Sequence, residues 1–255
     1  MTRKIFIENS YKLKIAAILE LPKVTGQVPC VLIVPGFLGY KEGVTLEALA
    51  NTLLEQNIAS IRFDPSGFAE SEGTLENDYR LSNFISDIAT VYEYLKTLPQ
   101  INLQKTFITG ISMGGIAAVI AATQHQYAGV CLIASPTMLG RADDLTAQIK
   151  NWTSLGYLTR FSSKYGELQI PAAFIENARG YDALKYVNLI KAPLQVIIGE
   201  KDEIVNPTDT MKYFEMAKEP KKLILIPEMH HSYKQQPQQI QAVNHAVISF
   251  LRQYS

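Results

Sequence analysis

A serine with the surroundings of an activated nucleophile stands at Ser112, between Gly110 and Gly114. Residues 106–109 before it form a short β-branched and aromatic run, which predicts a buried strand. Residues 116–122 after it are apolar and rich in alanine, which predicts a packed helix. At such a strand-to-helix corner the two glycines avoid crowding in a tight turn. The unpaired N–H groups at the helix N-terminus favour negative charge beside the serine hydroxyl, so Ser112 is a candidate nucleophile.

A serine nucleophile needs a general base and an acid that orients the base, and both residue types follow predicted strands downstream. An acidic cluster of Glu200, Asp202 and Glu203 lies just past one strand, and we favour Asp202 as the acid. His230 and His231 follow the last strand, and their position alone does not decide between them. In a parallel sheet the carboxyl ends of the strands share one edge, so we expect these residues to meet the serine.

Strand and helix patterns alternate along most of the chain, which predicts an α/β fold with a mostly parallel, eight-stranded sheet and helices on both faces. Continuous apolar runs such as residues 29–34 are typical of strands covered on both sides. Between residues 79 and 98, apolar side chains recur at the spacing of an amphipathic helix. The predicted strands cover residues 5–7, 13–21, 29–34, 59–63, 106–109, 128–134, 193–198 and 222–226.

Residues 135–191 interrupt this alternation at a point where a short crossover would connect two strands. The segment carries many large apolar side chains, so we predict an inserted lid over the serine rather than a crossover helix with a disordered loop. Its aromatic residues Trp152, Tyr157 and Phe161 are the predicted substrate contacts. Residues 1–134 and 192–255 are then predicted to form the core domain.

Three stretches of the chain narrow the class of protein further. They are Pro35-Gly36-Phe37 with Lys41 downstream, Phe63-Asp64 leading into Gly67 and Glu70-Ser71-Glu72-Gly73, and Gly110 to Gly115. Together they resemble the α/β-hydrolase superfamily, and within it the bacterial cinnamoyl/feruloyl esterase-like and serine aminopeptidase-like group. The resemblance implies the α/β-hydrolase fold and a catalytic triad in the chain order serine, acid, histidine, which Ser112, Asp202 and His231 follow.

The resemblance also implies roles for individual residues. Family members typically have a catalytic histidine followed by a small residue and an aromatic one, which His231-Ser232-Tyr233 matches and His230 does not. The oxyanion hole is implied to consist of the backbone N–H groups of Met113 and Phe37. Pro35 stands where related enzymes commonly have a histidine, but the oxyanion donor itself is a backbone group.

These features predict a serine hydrolase that cleaves small carboxylic esters with an apolar or aromatic acyl group through an acyl-enzyme, with no metal or organic cofactor. A serine aminopeptidase or amidase is an alternative, and it needs a carboxylate such as Glu176 or Asp182 facing the substrate amine. An acyl-CoA thioesterase would benefit from basic residues for the phosphates, and the insert offers only scattered ones such as Arg141, Lys150 and Arg160. A non-catalytic receptor with the same fold is the remaining alternative, since fold does not imply function.

The composition of the 255 residues is ordinary, with 24 basic and 24 acidic side chains. A net charge of zero gives no electrostatic case for binding nucleic acid or an anionic membrane. We expect neither a signal peptide nor a membrane-spanning helix, because no apolar run has the required length. Cys30 and Cys131 lie in apolar runs, which favours buried thiols over a disulfide. The expected protein is cytoplasmic, a monomer or homodimer, and acts on a small-molecule ester.

Overall fold

One eight-stranded sheet organises the computed structural model, which describes residues 1–140 and 150–254. The strands of the described residues are β1 (Thr2–Glu8), β2 (Lys14–Glu20), β3 (Val28–Val34), β4 (Ala59–Phe63), β5 (Ile101–Ile111), β6 (Gly129–Ile133), β7 (Tyr157–Ser162), β8 (Gly166–Pro171), β9 (Leu194–Gly199) and β10 (Lys221–Ile226). The order across the sheet is β1-β2-β4-β3-β5-β6-β9-β10. β2 pairs antiparallel with β1 and β4, and the other neighbours pair in parallel, so the predicted sheet is confirmed.

Helices cover both faces of this sheet, as predicted. They are α1 (Val44–Glu55), α2 (Leu81–Lys96), α3 (Met113–Gln124), α4 (Ala172–Ala178), α5 (Leu184–Val187), α6 (Pro207–Met216) and α7 (Pro237–Tyr254), with a further helical stretch at residues 150–155. Side chains of α1 and α7 pack on one face, and those of α2, α3 and α6 pack on the other. Successive side chains of a strand alternate between these two faces. Leu32 of β3 packs on the face covered by α2, α3 and α6, whereas Val31 and Ile33 pack on the face covered by α1 and α7.

Two further expectations about the chain can be compared with the fold. Cys30 and Cys131 are buried free thiols, as predicted. The apolar spacing predicted between residues 79 and 98 becomes the buried face of α2, which includes Phe84 and Ile88. Among the helices of residues 1–140 and 150–254, none combines the length and the apolar character needed to cross a bilayer.

The described residues of the predicted insertion, 135–140 and 150–191, are named the cap segment. It contains the helical stretch at residues 150–155, the antiparallel hairpin β7–β8, α4 and α5. Trp152, Ile170 and Phe174 are buried in the same cluster as side chains of the sheet. α5 packs against α3 and α6, so the end of the cap segment returns to the body of the fold. That the segment acts as a separate lid stays a prediction.

Asp87 on α2 is a fully buried carboxylate that ties the turn after β4 to the hairpin β1–β2. It accepts hydrogen bonds from the Ser66 backbone N–H at 2.7 Å, the Ser66 hydroxyl at 2.8 Å and the Asn9 side-chain amide at 2.9 Å. Burial raises the pKa of Asp87 from 3.8 to about 6, because desolvation outweighs these hydrogen bonds.

We expect Asp87 to make the free energy of unfolding fall as the pH rises from 3.8 to about 6. The folded chain holds the Asp87 proton in this window, whereas the unfolded chain has already released it, so the stabilisation from proton binding is greatest at the acidic end. Urea titrations of wild type and Asp87→Asn should differ in their pH dependence by about 3 kcal/mol across the window. Parallel pH profiles for the two proteins would contradict this.

Candidate active site

Ser112 lies at the corner between β5 and α3 with a φ of +52°, a left-handed conformation that is uncommon for a residue with a side chain. Its backbone N–H donates to the Ile133 carbonyl at 2.8 Å. A Cβ on Gly110 would lie 2.5 Å from the Gly114 carbonyl oxygen, and a Cβ on Gly114 would lie 2.3 Å from the Pro35 carbonyl oxygen. The glycines therefore permit a turn that pushes the serine away from the sheet.

A series of hydrogen bonds joins Ser112, His231 and Asp202. His231 Nε2 lies 3.0 Å from Ser112 Oγ, and His231 Nδ1 lies 2.8 Å from Asp202 Oδ2. The Asp202 side chain is only 2% exposed, and its Oδ1 accepts from the backbone N–H groups of Ile204 at 3.0 Å and Val205 at 2.7 Å. The anionic carboxylate favours a proton on Nδ1 of the imidazole, which leaves Nε2 as an acceptor for the serine hydroxyl.

The other acidic and histidine candidates lie outside this series. Glu200 is exposed at the end of β9. Glu203 accepts from the His231 backbone N–H at 3.3 Å and pairs with His230 Nδ1 at 3.1 Å. Backbone N–H groups, first that of Glu203 itself, lower the pKa of this carboxyl, and His230 adds to the effect. Glu203 thus holds the backbone of the loop that carries His231 but does not contact the His231 imidazole.

The loop after β3 passes directly over Ser112. A Cβ on Gly36 would lie 3.2 Å from Ser112 Cβ, so only glycine allows this approach without displacement. Phe37 follows Gly36, and Met113 follows Ser112 as the first residue of α3. Within the described part of the chain, no acceptor lies within hydrogen-bonding reach of either backbone N–H. Both residues thus adjoin the serine, and their role as oxyanion donors stays a prediction.

The same loop ends in a buried ion-pair network around Lys41. Lys41 Nζ lies 2.7 Å from Asp64 Oδ2 and also contacts Glu70, while the Lys41 backbone N–H donates to Asp64 Oδ1 at 2.7 Å. The Lys41 carbonyl accepts from Arg62 Nε at 2.6 Å. Burial raises the pKa of Asp64, and donation from Lys4 and Lys41 lowers that of Glu70 to about 2. The network fixes the far end of the loop that crosses the serine.

An aromatic cluster formed by Phe37, Tyr79, Trp152 and Phe174 adjoins the loop. The Phe37 ring centroid lies 5.0 Å from that of Phe174, 6.1 Å from that of Tyr79 and 6.1 Å from that of Trp152. Trp152 and Phe174 stack at 5.9 Å, and the Trp152 indole N–H donates to the Ile170 carbonyl at 2.8 Å. The cap segment thus brings aromatic rings next to a residue that borders Ser112.

Tyr157 and Phe161, two of the predicted substrate contacts, lie outside this aromatic cluster, and their role stays a prediction. These side chains are 42% and 81% exposed, because alternation along β7 turns both of them to solvent while Leu158 packs inward. Trp152, the third predicted contact, lies in the aromatic cluster. Phe174 and Tyr79 complete that cluster and were not predicted as site residues, because no local pattern distinguishes them from other buried aromatic side chains.

The residues considered for other substrates are placed as follows. Glu176 is exposed, with an electrostatic effect on Arg80, and Asp182 accepts from the backbone N–H of Leu184 at the start of α5. Lys150 is exposed, and Arg160 donates to the neighbouring Thr159 carbonyl. Arg141 lies outside the described residues. No group of three or more His, Cys, Asp or Glu side chains in residues 1–140 and 150–254 could hold a metal ion.

The sheet order and the Ser112 corner are those of an α/β-hydrolase, and solved structures share this fold. GrgF, an α/β-hydrolase from Penicillium sp. sh18, matches with a TM-score of 0.86 at 17% identity over 100% of this chain and 99% of its own. Est1E from Butyrivibrio proteoclasticus, solved with ferulic acid bound, matches with a TM-score of 0.79 at 22% identity over 98% of both chains. At such identities the likeness shows the fold alone.

Residues 27–177 match the serine aminopeptidase S33 family, and the chain belongs to this family of hydrolases. Among curated proteins it is similar to the human mitochondrial palmitoyl-protein thioesterase ABHD10, with 27% identity over 194 residues. That alignment includes 73% of this chain but only 61% of the length of the human protein.

Proposed function

We propose that this chain hydrolyses small carboxylic esters with an apolar or aromatic acyl group through an acyl-enzyme on Ser112. The observation that carries the proposal is the hydrogen-bond series from Ser112 Oγ to His231 Nε2 at 3.0 Å and from His231 Nδ1 to Asp202 at 2.8 Å. A serine hydroxyl that donates to an imidazole oriented by a buried carboxylate has its general base already in place.

In the proposed reaction, Ser112 Oγ attacks the acyl carbonyl carbon while His231 Nε2 takes the hydroxyl proton. The negative charge that develops on the carbonyl oxygen is stabilised by the backbone N–H groups of Phe37 and Met113. The bond to the leaving alkoxide then breaks as His231 returns the proton to it. Water, deprotonated by the same imidazole, attacks the acyl-enzyme and releases the acid and the free serine.

The proposed acyl group follows from the side chains beside the loop after β3, residues 35–41, which is named the oxyanion loop. Phe37, Trp152 and Phe174 are apolar rings, and such rings favour an apolar or aromatic acyl chain over a charged one. Proteins named as a thioesterase and as an esterase domain are among those similar to this chain, which agrees with chemistry at an acyl carbon.

Thioester hydrolysis is a second candidate for the same site. It is favoured by the similarity to a protein named as a palmitoyl-protein thioesterase and requires the same nucleophile and oxyanion donors. The aminopeptidase alternative gains no support from the two carboxylates considered for it, since Asp182 is engaged with the Leu184 backbone and Glu176 is exposed.

The test combines labelling of the wild-type chain by a fluorophosphonate with a substrate panel. p-Nitrophenyl esters from acetyl to palmitoyl, feruloyl methyl ester, S-acyl thioesters and aminoacyl naphthylamides would be compared by kcat/KM. We expect labelling, and the highest kcat/KM for a short or aromatic ester. Preference for a long-chain thioester would favour the second candidate, and preference for the naphthylamide would favour the aminopeptidase. Neither labelling nor turnover would favour the non-catalytic receptor.

A further inference from the structure

Tyr79 is a fully buried tyrosine whose hydroxyl contacts the oxyanion loop rather than any member of the Ser112 series. Its oxygen accepts a hydrogen bond from the Leu38 backbone N–H at 2.7 Å. The ring is held from two sides, stacked on Phe174 at 5.1 Å and 18° and packed at 5.7 Å from Phe68. The hydroxyl therefore has a defined position relative to the backbone that follows Phe37.

The backbone at this point forms a strained turn. The Gly39 N–H donates to the Gly36 carbonyl at 2.9 Å, and Leu38, the third residue of the turn, has a φ of +53°. These are features of a type II turn, which favours glycine at the third position because a side chain there is strained. A leucine in that position is strained, and the hydrogen bond from its N–H to the Tyr79 hydroxyl offsets part of the strain.

Loss of that hydrogen bond would favour a different turn. If the peptide between Phe37 and Leu38 rotates, Leu38 returns to negative φ and the turn becomes type I, with a change of about 150° in the ψ of Phe37. The Phe37 carbonyl and the Leu38 N–H then exchange sides. The Phe37 N–H belongs to the preceding peptide, which this rotation does not itself turn, because the second residue has a φ of about −60° in both forms. Loss of the anchor on Tyr79 would instead let the loop beside Ser112 relax, and the adjacent Phe37 N–H would shift with it.

We propose that Tyr79 is a positioning residue of the oxyanion hole, because its hydroxyl anchors the strained Gly36–Gly39 turn through Leu38 and so fixes the place of the adjacent Phe37 N–H beside Ser112. The proposal rests on the proposed function, since an oxyanion donor has a role only in acyl transfer. Tyr79 itself touches no reacting atom. Its effect is confined to the transition state, where the oxyanion forms.

Tyr79→Phe removes the hydroxyl and keeps the ring that stacks on Phe174. We expect kcat for p-nitrophenyl butyrate to fall by about 10- to 100-fold, less than the 10²- to 10³-fold typical of deleting an oxyanion donor, with KM changed by no more than about threefold. Affinity for an alkyl boronic acid, whose tetrahedral adduct places an oxygen in the oxyanion hole, should fall by about the same factor as kcat/KM. A purely structural role would move neither quantity in a fully folded protein.

Tyr127→Phe is the matched control. Tyr127 is also buried, and its hydroxyl has no hydrogen-bond partner in the described part of the chain. This variant should leave kcat and boronic acid affinity unchanged within about twofold. If Tyr79→Phe fails to fold, the double variant Tyr79→Phe/Leu38→Gly replaces it in the same assays. Glycine takes the positive φ of Leu38 without strain and so removes the need for the anchor, and we expect the double variant to keep kcat within about threefold of wild type. A loss of about tenfold or more in a folded double variant would overturn the proposal.

The outcomes separate this proposal from the proposed function. Wild-type hydrolysis with an unchanged kcat in Tyr79→Phe overturns the positioning role and leaves the serine hydrolase intact. An equal loss in Tyr79→Phe and Tyr127→Phe, or a loss confined to KM, also overturns the positioning role. A wild-type chain that neither hydrolyses esters nor reacts with a fluorophosphonate overturns both.

Discussion

Ser112→Ala is expected to lower kcat for p-nitrophenyl esters by about 10⁶-fold, and His231→Ala by a similar factor. The expected effect is this large because attack and proton transfer depend on one hydrogen bond between Ser112 Oγ and His231 Nε2, so removing either partner removes the step. The double variant should lose little more than each single variant, since the two residues act as a unit. The measurement is single-turnover and steady-state hydrolysis, with circular dichroism to verify folding.

The neighbouring histidine is the matched control for this prediction. His230 pairs with Glu203 and lies outside the hydrogen-bond series, so His230→Ala should change kcat by no more than about threefold. Asp202→Asn should lose about 10⁴-fold, because an amide oxygen and nitrogen no longer select the correct imidazole tautomer. A kcat in Ser112→Ala within tenfold of wild type, or a larger loss in His230→Ala than in His231→Ala, would contradict the assigned roles.

The second large effect is expected on stability. Lys41→Met should lower the free energy of unfolding by about 3–5 kcal/mol, because it leaves the fully buried Asp64 carboxylate without its cation. The remaining donors to Asp64, the backbone N–H groups of Lys41 and Glu70, do not neutralise its charge. Urea unfolding monitored by circular dichroism would measure the change.

Lys164→Met provides the comparison for a lysine at the surface. Lys164 pairs with Glu42, and both side chains are well exposed, so this loss should cost less than about 1 kcal/mol. Adding Asp64→Asn to Lys41→Met should recover part of the stability, since the buried charge is then gone. If Lys41→Met lowers the free energy of unfolding no more than Lys164→Met does, the buried ion pair stabilises the fold no better than a surface pair.

Local patterns in the chain were sufficient to predict most of the sheet and the tight turn at Ser112. Apolar runs and the apolar spacing within α2 predict which side chains are buried, because side chains on one face of a strand or helix recur at a fixed period. Gly110 and Gly114 around Ser112 indicate a turn too tight for side chains, and a Cβ added to either glycine would indeed clash with backbone atoms. Choosing His231 over the adjacent His230 required the family resemblance as well, since both follow the same strand.

Local patterns failed where a contact depends on distant parts of the chain. The N-terminal part of β5 was missed because residues 102–105 are mostly polar, yet Ile101 pairs with Val28 of β3. The composition of the cap segment predicts aromatic rings near the serine but does not show which of them pack against the loop after β3, where Phe174 is buried and Phe161 is not.

The contact between Tyr79 and Leu38 joins residues 41 positions apart, and no periodicity in the sequence encodes it. The types of residue and their local spacing thus determine the elements and the candidate nucleophile. The packing of the cap segment against the loop after β3 determines which side chains surround it, because that packing depends on shape complementarity between surfaces far apart in the chain.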